Sequence, residues 1–179
     1  MPKRYILTGA PGAGKTVLLR RLERDGFAVV AEAATDVIEL DQAEGVAEPW
    51  RHPRFISDIV ALQQHRASAD ASPGRIEFHD RSVFCTYALA VHLGYSIPPA
   101  LSAAIDAALA TSQFMPDVFV VELLDFITPT PARRIGLDEA RRFEATHREV
   151  YRRFGFTLVP VPPAPIATRA AAVRKFIGA

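Results

Sequence analysis

Eight residues constrain this chain more than any others. Gly9-Ala10-Pro11-Gly12-Ala13-Gly14-Lys15-Thr16 stands between a short apolar run, Tyr5-Ile6-Leu7-Thr8, and a stretch in which Val17, Leu18, Leu19 and Leu22 recur at helical spacing up to Gly26. Strand, glycine-rich loop and helix in that order open an alternating α/β chain, and the alternation continues. Phe27-Ala28-Val29-Val30 is a second apolar run, followed by a helical stretch from Ala33 carrying Val37, Ile38 and Leu40. Residues 44–53, with Gly45, Pro49, Trp50 and Pro53, have no period and read as a loop. Phe55, Ile56, Ile59, Val60 and Leu62 then mark a helix that ends at Ser72-Pro73-Gly74.

Arg75 to His79 predicts a third strand, and Val83, Phe84, Tyr87, Ala88 and Val91 a helix closed by Gly94. Leu101, Ile105 and Leu109 mark another helix. Val118-Phe119-Val120-Val121 is the continuous apolar run expected of a parallel strand covered on both faces. A polar, proline-broken stretch from Asp125 to Gly136 precedes a charged helix from Asp138 to about Phe154, a fifth strand Thr157-Leu158-Val159, and a last helix after Pro165. The expectation is a three-layer α/β fold: about five parallel strands with helices on both faces, residues 1–179 forming one domain. Right-handed crossovers would bring every strand's carboxyl end, and with it any ligand site, to one edge.

Composition narrows the function classes. Hydrophobic residues at 49% and charged residues at 23% are ordinary globular values. A net charge of +1, from 21 basic and 20 acidic side chains, provides no field that would gather nucleic acid or an anionic membrane, so neither is expected as a partner. The single cysteine, Cys85, excludes an internal disulfide and a cysteine-rich metal site, and its flanks Phe84 and Tyr87 suit a packed thiol. With no leader-like apolar region after Met1-Pro2-Lys3-Arg4 and no run of membrane-spanning length, the expected location is the cytoplasm.

The spacing of glycine, four residues, glycine, lysine and threonine in residues 9–16 has a mechanical reason. The glycines let backbone amides turn inward around a β-phosphate, Lys15 reaches the β- and γ-phosphates, the Thr16 hydroxyl ligates magnesium, and the following helix adds its N-terminal partial charge. The loop is therefore a P-loop. It predicts binding of a nucleoside triphosphate, with ATP and Mg2+ the favoured pair.

Thr8 to Thr16, together with Asp80-Arg81-Ser82 at the end of the third strand, resembles the P-loop kinases of the nucleoside and nucleotide kinase group. Over nearly the whole chain the sequence is similar to small bacterial AAA-domain ATP-binding proteins that look like the kinase domain of nicotinamide riboside kinases. That resemblance implies a lid near residues 125–145 whose Arg133 and Arg134 close on the triphosphate. It also implies a glutamate at position 32 that takes the proton of the attacking hydroxyl, and an acidic residue followed by arginine at 80 and 81. Acceptor-binding segments of the group follow the second helix, which nominates Trp50, with Arg51 and His52. The adenine ring would lie near Pro162-Pro163-Ala164.

Each position also has a plainer role open to it. Asp80 could hold magnesium through water, accept a substrate proton, or cap the next helix. Arg81 could hold the acceptor or form an ion pair, and Glu32 could act as base or merely answer the dipole of its helix. Arg141 and Arg142 stand on a charged helix beside Asp138, Glu139 and Glu144 and suit a solvated face, as His79 suits a core position.

Among P-loop functions, a GTPase needs a guanine-reading Asn-Lys-x-Asp, and the chain has no asparagine. A ring-forming motor needs a helical lid domain after the sheet, for which too little chain remains. Two readings stand: a small-molecule kinase that transfers the γ-phosphoryl group of ATP to a nucleoside- or nucleotide-like acceptor, and a slow ATPase acting as a nucleotide-dependent switch. In the first, Lys15, Glu32, Asp80, Arg133 and Arg134 carry catalysis, Glu32, Arg81 and Trp50 hold the acceptor, and Thr16 and Asp80 hold the metal.

Overall fold

The computed structural model describes residues 2–68, 74–123 and 136–179. The described elements run β1 (Lys3–Thr8), α1 (Lys15–Arg24), β2 (Ala28–Val30), α2 (Ala33–Ala43), a 3-10 turn Pro49–Arg51, α3 (Phe55–Ser68), β3 (Ile76–Asp80), α4 (Val83–His92), α5 (Pro99–Ala110), β4 (Asp117–Val121), α6 (Leu137–Arg153), β5 (Thr157–Val161) and α7 (Ile166–Ile177). The five strands form one sheet in the order β2-β3-β1-β4-β5, and every pairing is parallel. This is the three-layer α/β arrangement expected from the alternating runs.

Side-chain alternation along the strands splits the core in two, as a period of two must. Tyr5, Leu7, Phe78, Phe119 and Val121 pack with Leu18, Leu19 and Leu22 of α1 and Ala170 and Val173 of α7. On the other face Ile6 and Val118 meet α2 through α6, where Phe84 is ringed by Phe114, Tyr151, Phe154 and Phe156. Each fully buried leucine or phenylalanine of these layers contributes about 1.5–3 kcal/mol relative to exposure. Val17 and Leu40, which carry the helical period in the sequence, are instead 58% and 60% exposed.

Two differences from the expected elements bear on the site. The third strand runs one residue further than its apolar pattern suggests, so Asp80 is its last paired residue, opposite Leu7. Of the segment near 125–145 expected as a lid, residues 125–135, with Arg133 and Arg134, lie outside the described residues, while 137–145 form the first half of α6. The solvated face expected for that helix holds for Arg141 and Arg142, yet Ala140, Phe143, His147, Val150 and Tyr151 are buried along the opposite face.

Candidate functional site

The carboxyl ends of β1, β2 and β3 are adjacent, and the chain leaves each of them through a residue suited to phosphate chemistry. From β1 it enters the loop at Gly9, whose backbone has φ +133°. A Cβ there would lie 2.3 Å from the carbonyl oxygen of Val121 at the end of β4, so only glycine permits the close approach of the two strands. Gly14, at φ +88°, is the residue before α1 and has no side chain to cap it, which leaves the first amides of the helix available to an anion.

Lys15 is buried. Its Nζ donates to the carbonyl of Ala10 at 2.9 Å across its own loop. Burial, with Arg81 nearby, lowers its ammonium to about 8 even though Asp80 and Glu32 oppose the shift. The next hydroxyl, Thr16 Oγ1, donates to Asp80 Oδ2 at 3.1 Å. Burial raises the Asp80 carboxyl and Glu32 adds to the rise, while Lys15 and Arg81 pull the other way. Asp80 Oδ1 is buried without a hydrogen-bond partner.

That orphaned oxygen beside a hydroxyl fits a small divalent cation, since hard oxygen donors and one or two carboxylates are what magnesium takes from a protein when phosphates complete its shell. No cluster of three or more His, Cys, Asp or Glu residues able to hold a metal occurs among the described residues, so a dedicated protein cage for a cation is not offered there. Asp80 does not cap α4, because the N-cap position is Ser82.

Glu32 and Arg81 meet at the neighbouring strand ends. Arg81 has φ 74°, a left-handed backbone that costs a side-chain-bearing residue about 1–2 kcal/mol, and its amide is tied to the carbonyl of Leu7 at 3.0 Å. The turn aims its guanidinium back over the loop, where Nε donates to Glu32 Oε1 in a close ion pair. Burial alone would raise the Glu32 carboxyl, but Arg81 and Lys15 outweigh it and hold it below the usual carboxylate range. Thr35 Oγ1 donates to the other oxygen of Glu32 at 3.1 Å, and Arg66 of α3 grips the carbonyls of Ala31 and Glu32 at 3.0 and 2.7 Å.

Three further residues, none of them a candidate from the sequence, complete the frame. His147 of α6 is 1% exposed, and its Nε2 lies 3.3 Å from Arg81 Nη1. Its Nδ1 is 2.9 Å from the carbonyl of Phe143, which can only accept, so the proton is on Nδ1 and Nε2 carries the lone pair. Burial, with Arg81 facing it, lowers the imidazole well below its ordinary value. The ring of Phe143 lies 5.5 Å from Arg81 Cζ. Arg169 of α7 is the third: Nη1, Nε and Nη2 donate to the carbonyls of Ala13, Pro162 and Glu122, at 2.7, 3.0 and 3.1 Å, joining the phosphate loop to the ends of β4 and β5.

Beside this group opens a cavity of about 340 Å³. Pro11, Glu32, Arg81 and Cys85 are among its lining residues, and Trp50, Phe55 and Phe143 supply aromatic walls. Trp50 is on the 3-10 turn, and its carbonyl accepts from Tyr95 Oη at 2.6 Å. Arg51 and His52, expected beside it, are exposed and do not line the cavity; Arg51 pairs with Glu48 at 3.3 Å. Cys85 is packed, as expected, with its sulfur 3.0 Å from Tyr151 Oη, and it touches the cavity as well. His79 is a core residue: burial lowers it to about 4 against the opposing pull of Glu77, 3.4 Å away.

The family described as "AAA domain" matches residues 4–169. No curated protein sequence matches the chain. Among solved structures, a NadR protein in complex with NAD and AMP-PNP superposes with a TM-score of 0.69 at 19% identity, over 99% of this chain and 50% of that one. Thymidylate kinase from Ehrlichia chaffeensis gives 0.61 at 13% identity, over 99% and 98% of the two chains. Deoxyadenosine kinase from M. mycoides, with products dCMP and dCDP, gives 0.62 at 12%, over 98% of each. The chain spans about half the length of the NadR protein and nearly all of the two kinases. At these identities the likeness establishes the fold. No described helix is long and apolar enough to cross a membrane.

Proposed function

We propose that the chain, which belongs to the AAA-domain family and has the fold of the nucleoside and nucleotide kinases, is an ATP-dependent small-molecule kinase. The observation that carries the reading is the meeting of two pairs at one sheet edge: Thr16 with Asp80, and Glu32 with Arg81, the second pair opening on the cavity. A switch that only hydrolyses ATP has no use for an apolar chamber ending on a carboxylate.

In this reading residues 9–16 hold the β- and γ-phosphates of ATP through backbone amides, and Lys15 leaves the Ala10 carbonyl to bind them. Thr16 and Asp80 would hold magnesium, which when bound neutralises charge on the phosphate oxygens. Glu32, ionised throughout the neutral range, accepts the hydrogen bond of the acceptor hydroxyl and fixes its oxygen in line with the γ-phosphorus. The new bond joins that oxygen to phosphorus, the bond to the bridging oxygen breaks, ADP departs, and the acceptor's proton passes to Glu32. Arg81 fixes Glu32, and Trp50 supplies an aromatic wall of the chamber. Arg133 and Arg134 are assigned to the charge that develops on the transferring phosphoryl oxygens. Pro162-Pro163-Ala164, beside the Arg169 clamp, suit the adenine ring.

The test is ADP formation by purified protein with MgATP and a panel of nucleosides, nucleotides and nicotinamide riboside. At least one member should accelerate ATP consumption tenfold over protein alone. If none does, the kinase reading falls.

A further inference from the structure

Glu32 is placed by its backbone as well as by its ion pair. β2 is a short strand at the edge of the sheet, and its last pairing with β3 is Val30 with His79, so the chain has left the ladder when it reaches Ala31 and Glu32. Glu32 then stands at the N-cap of α2 and gives its carboxylate to Arg81 and Thr35 instead of to the helix amides. A carboxylate rooted at such a junction goes wherever the junction goes.

Arg66 holds the junction. From the last turn of α3 its Nη1 donates to the carbonyls of Ala31 and Glu32, at 3.0 and 2.7 Å, and Nη2 pairs with the Asp36 carboxylate in the first turn of α2. One planar fork therefore grips the start of α2 at several points, which a single ammonium could not do. The root of Arg66 is itself fixed. Arg4 donates Nη2 to the carbonyl of Ala67 at 3.1 Å and Nε to Glu77 Oε2 at 2.9 Å, tying the end of α3 to β1 and β3.

The same helix walls the cavity. Phe55, Ile59 and Gln63 recur at intervals of four along α3 and line it, and Arg66 follows Gln63 by three, a helical neighbour beyond the wall. An acceptor seated against α3 and the carboxylate that receives its proton are thereby measured from one rigid element. A misplacement of about 1 Å between reacting groups can cost about 10²-fold in rate.

We propose that Arg66 is a positioning residue, which sets the backbone of Glu32 against both Arg81 and the α3 wall of the cavity. On the kinase reading above, this placement governs the rate of transfer; the Glu32–Arg81 pairing depends on it with or without that reading. Arg66 does not line the cavity, and it acts through Glu32.

Two measurements on the full chain test this. In the first, kinetics are followed with MgATP and a panel member that accelerates ADP formation. Arg66→Met, which keeps the aliphatic stem, should lower kcat by about thirtyfold or more while the KM for MgATP stays within about threefold. Arg66→Lys should bring kcat back to within about tenfold, and Asp36→Asn, which alters only the exposed end of the grip, should stay within about threefold. The second needs no substrate. Urea unfolding of Glu32→Gln, Arg81→Met and their double variant gives the coupling of the pair, which as an equilibrium ratio should be about fivefold or more in the unaltered background and under about twofold in Arg66→Met.

A kcat that Arg66→Met leaves unchanged overturns the proposal, as does a loss matched by an equal rise in the KM for MgATP. So does an Asp36→Asn as slow as Arg66→Met, or a coupling that survives the loss of Arg66. If no acceptor accelerates ADP formation the kinase reading falls, and the coupling alone then decides whether Arg66 places Glu32. Should Arg66→Met not fold, Arg66→Gln replaces it in both measurements, with a loss of about tenfold in kcat expected and an unchanged kcat or coupling again overturning the proposal.

Discussion

The guanidinium of Arg81 and the carboxylate of Glu32 are paired across the ends of β3 and β2, each held from behind: Arg81 by its amide on Leu7, Glu32 by Thr35 and Arg66. Removing one partner leaves a largely buried charge alone. Glu32→Gln and Arg81→Met should each destabilise the fold by about 2–3 kcal/mol, below the full cost of a buried pair because Glu32 is one-fifth exposed. The double variant should lose at least 1 kcal/mol less than the sum. Urea unfolding of the four proteins checks this, and strict additivity would mean the pair is not a unit.

Lys15→Ala should abolish nucleotide binding with little loss of fold, since among the described residues the side chain's one hydrogen-bond partner is a loop carbonyl. At 100 times its dissociation constant MgATP should stabilise the unaltered protein by about 2.7 kcal/mol. A thermal shift of the same size in the variant would place the nucleotide elsewhere.

Arg169 joins three loops through three carbonyls, so its loss orphans acceptors as well as a contact. Arg169→Leu should cost about 3 kcal/mol and weaken MgATP binding at least tenfold, because Ala13 in the phosphate loop is released. Arg169→Lys, with one compact ammonium in place of the fork, should recover only part of either. Full recovery by lysine would show that charge alone suffices.

His147 and His79 are both buried with pKa values below that of a free histidine, His79 at about 4. The unfolded chain therefore binds more protons below pH 6.5 than the folded one. The stability is intact above that pH and falls as pH drops through it, for His79 by about 2 kcal/mol between pH 7.5 and 5, with His147 adding to the fall in the same direction. Denaturant midpoints across this range should show the decline, and His147→Gln should remove part of it. A profile flat to pH 5 would contradict the neutral burial of both rings.

Gly9→Ala and Gly26→Ala form a matched test of the strand approach, since both have positive φ but only at Gly9 would a Cβ strike a carbonyl; around Gly26 there is open space. Gly26→Ala should cost about 1–2 kcal/mol, the strain of the left-handed backbone alone. Gly9→Ala should cost at least twice that in thermal unfolding. Equal costs would mean that strain, and not the Val121 contact, sets the requirement for glycine.

The fold was legible because its strands are nearly continuous apolar runs and its helices have periodic ones, and the phosphate loop because its mechanics demand particular residues. Asp80, Arg81 and Glu32 could be nominated because the resemblance to P-loop kinases points to these positions, and parallel topology, which sends every strand's end to one edge, agrees with it. What stayed hidden came from helices read by charge. The sequence of α6 is dominated by arginine and glutamate, yet Ala140, Phe143, His147 and Tyr151 recur at three and four residues and form a buried stripe, a period that would have revealed His147. Arg169 likewise stands among Ile166, Ala170 and Val173 on the apolar face of α7, and a charge in that company signals a buried partner. Which carbonyls it binds depends on loops brought together only by the finished sheet.

The clamp formed by Arg169 spans 156 positions of chain to reach Ala13. Ala13 precedes Arg169 in the chain, so synthesis releases the recognition motif before the side chain that holds it in shape. Until α7 docks, the loop carries its recognition residues without the anchor on Ala13, and its shape is completed by tertiary packing and not by the motif itself.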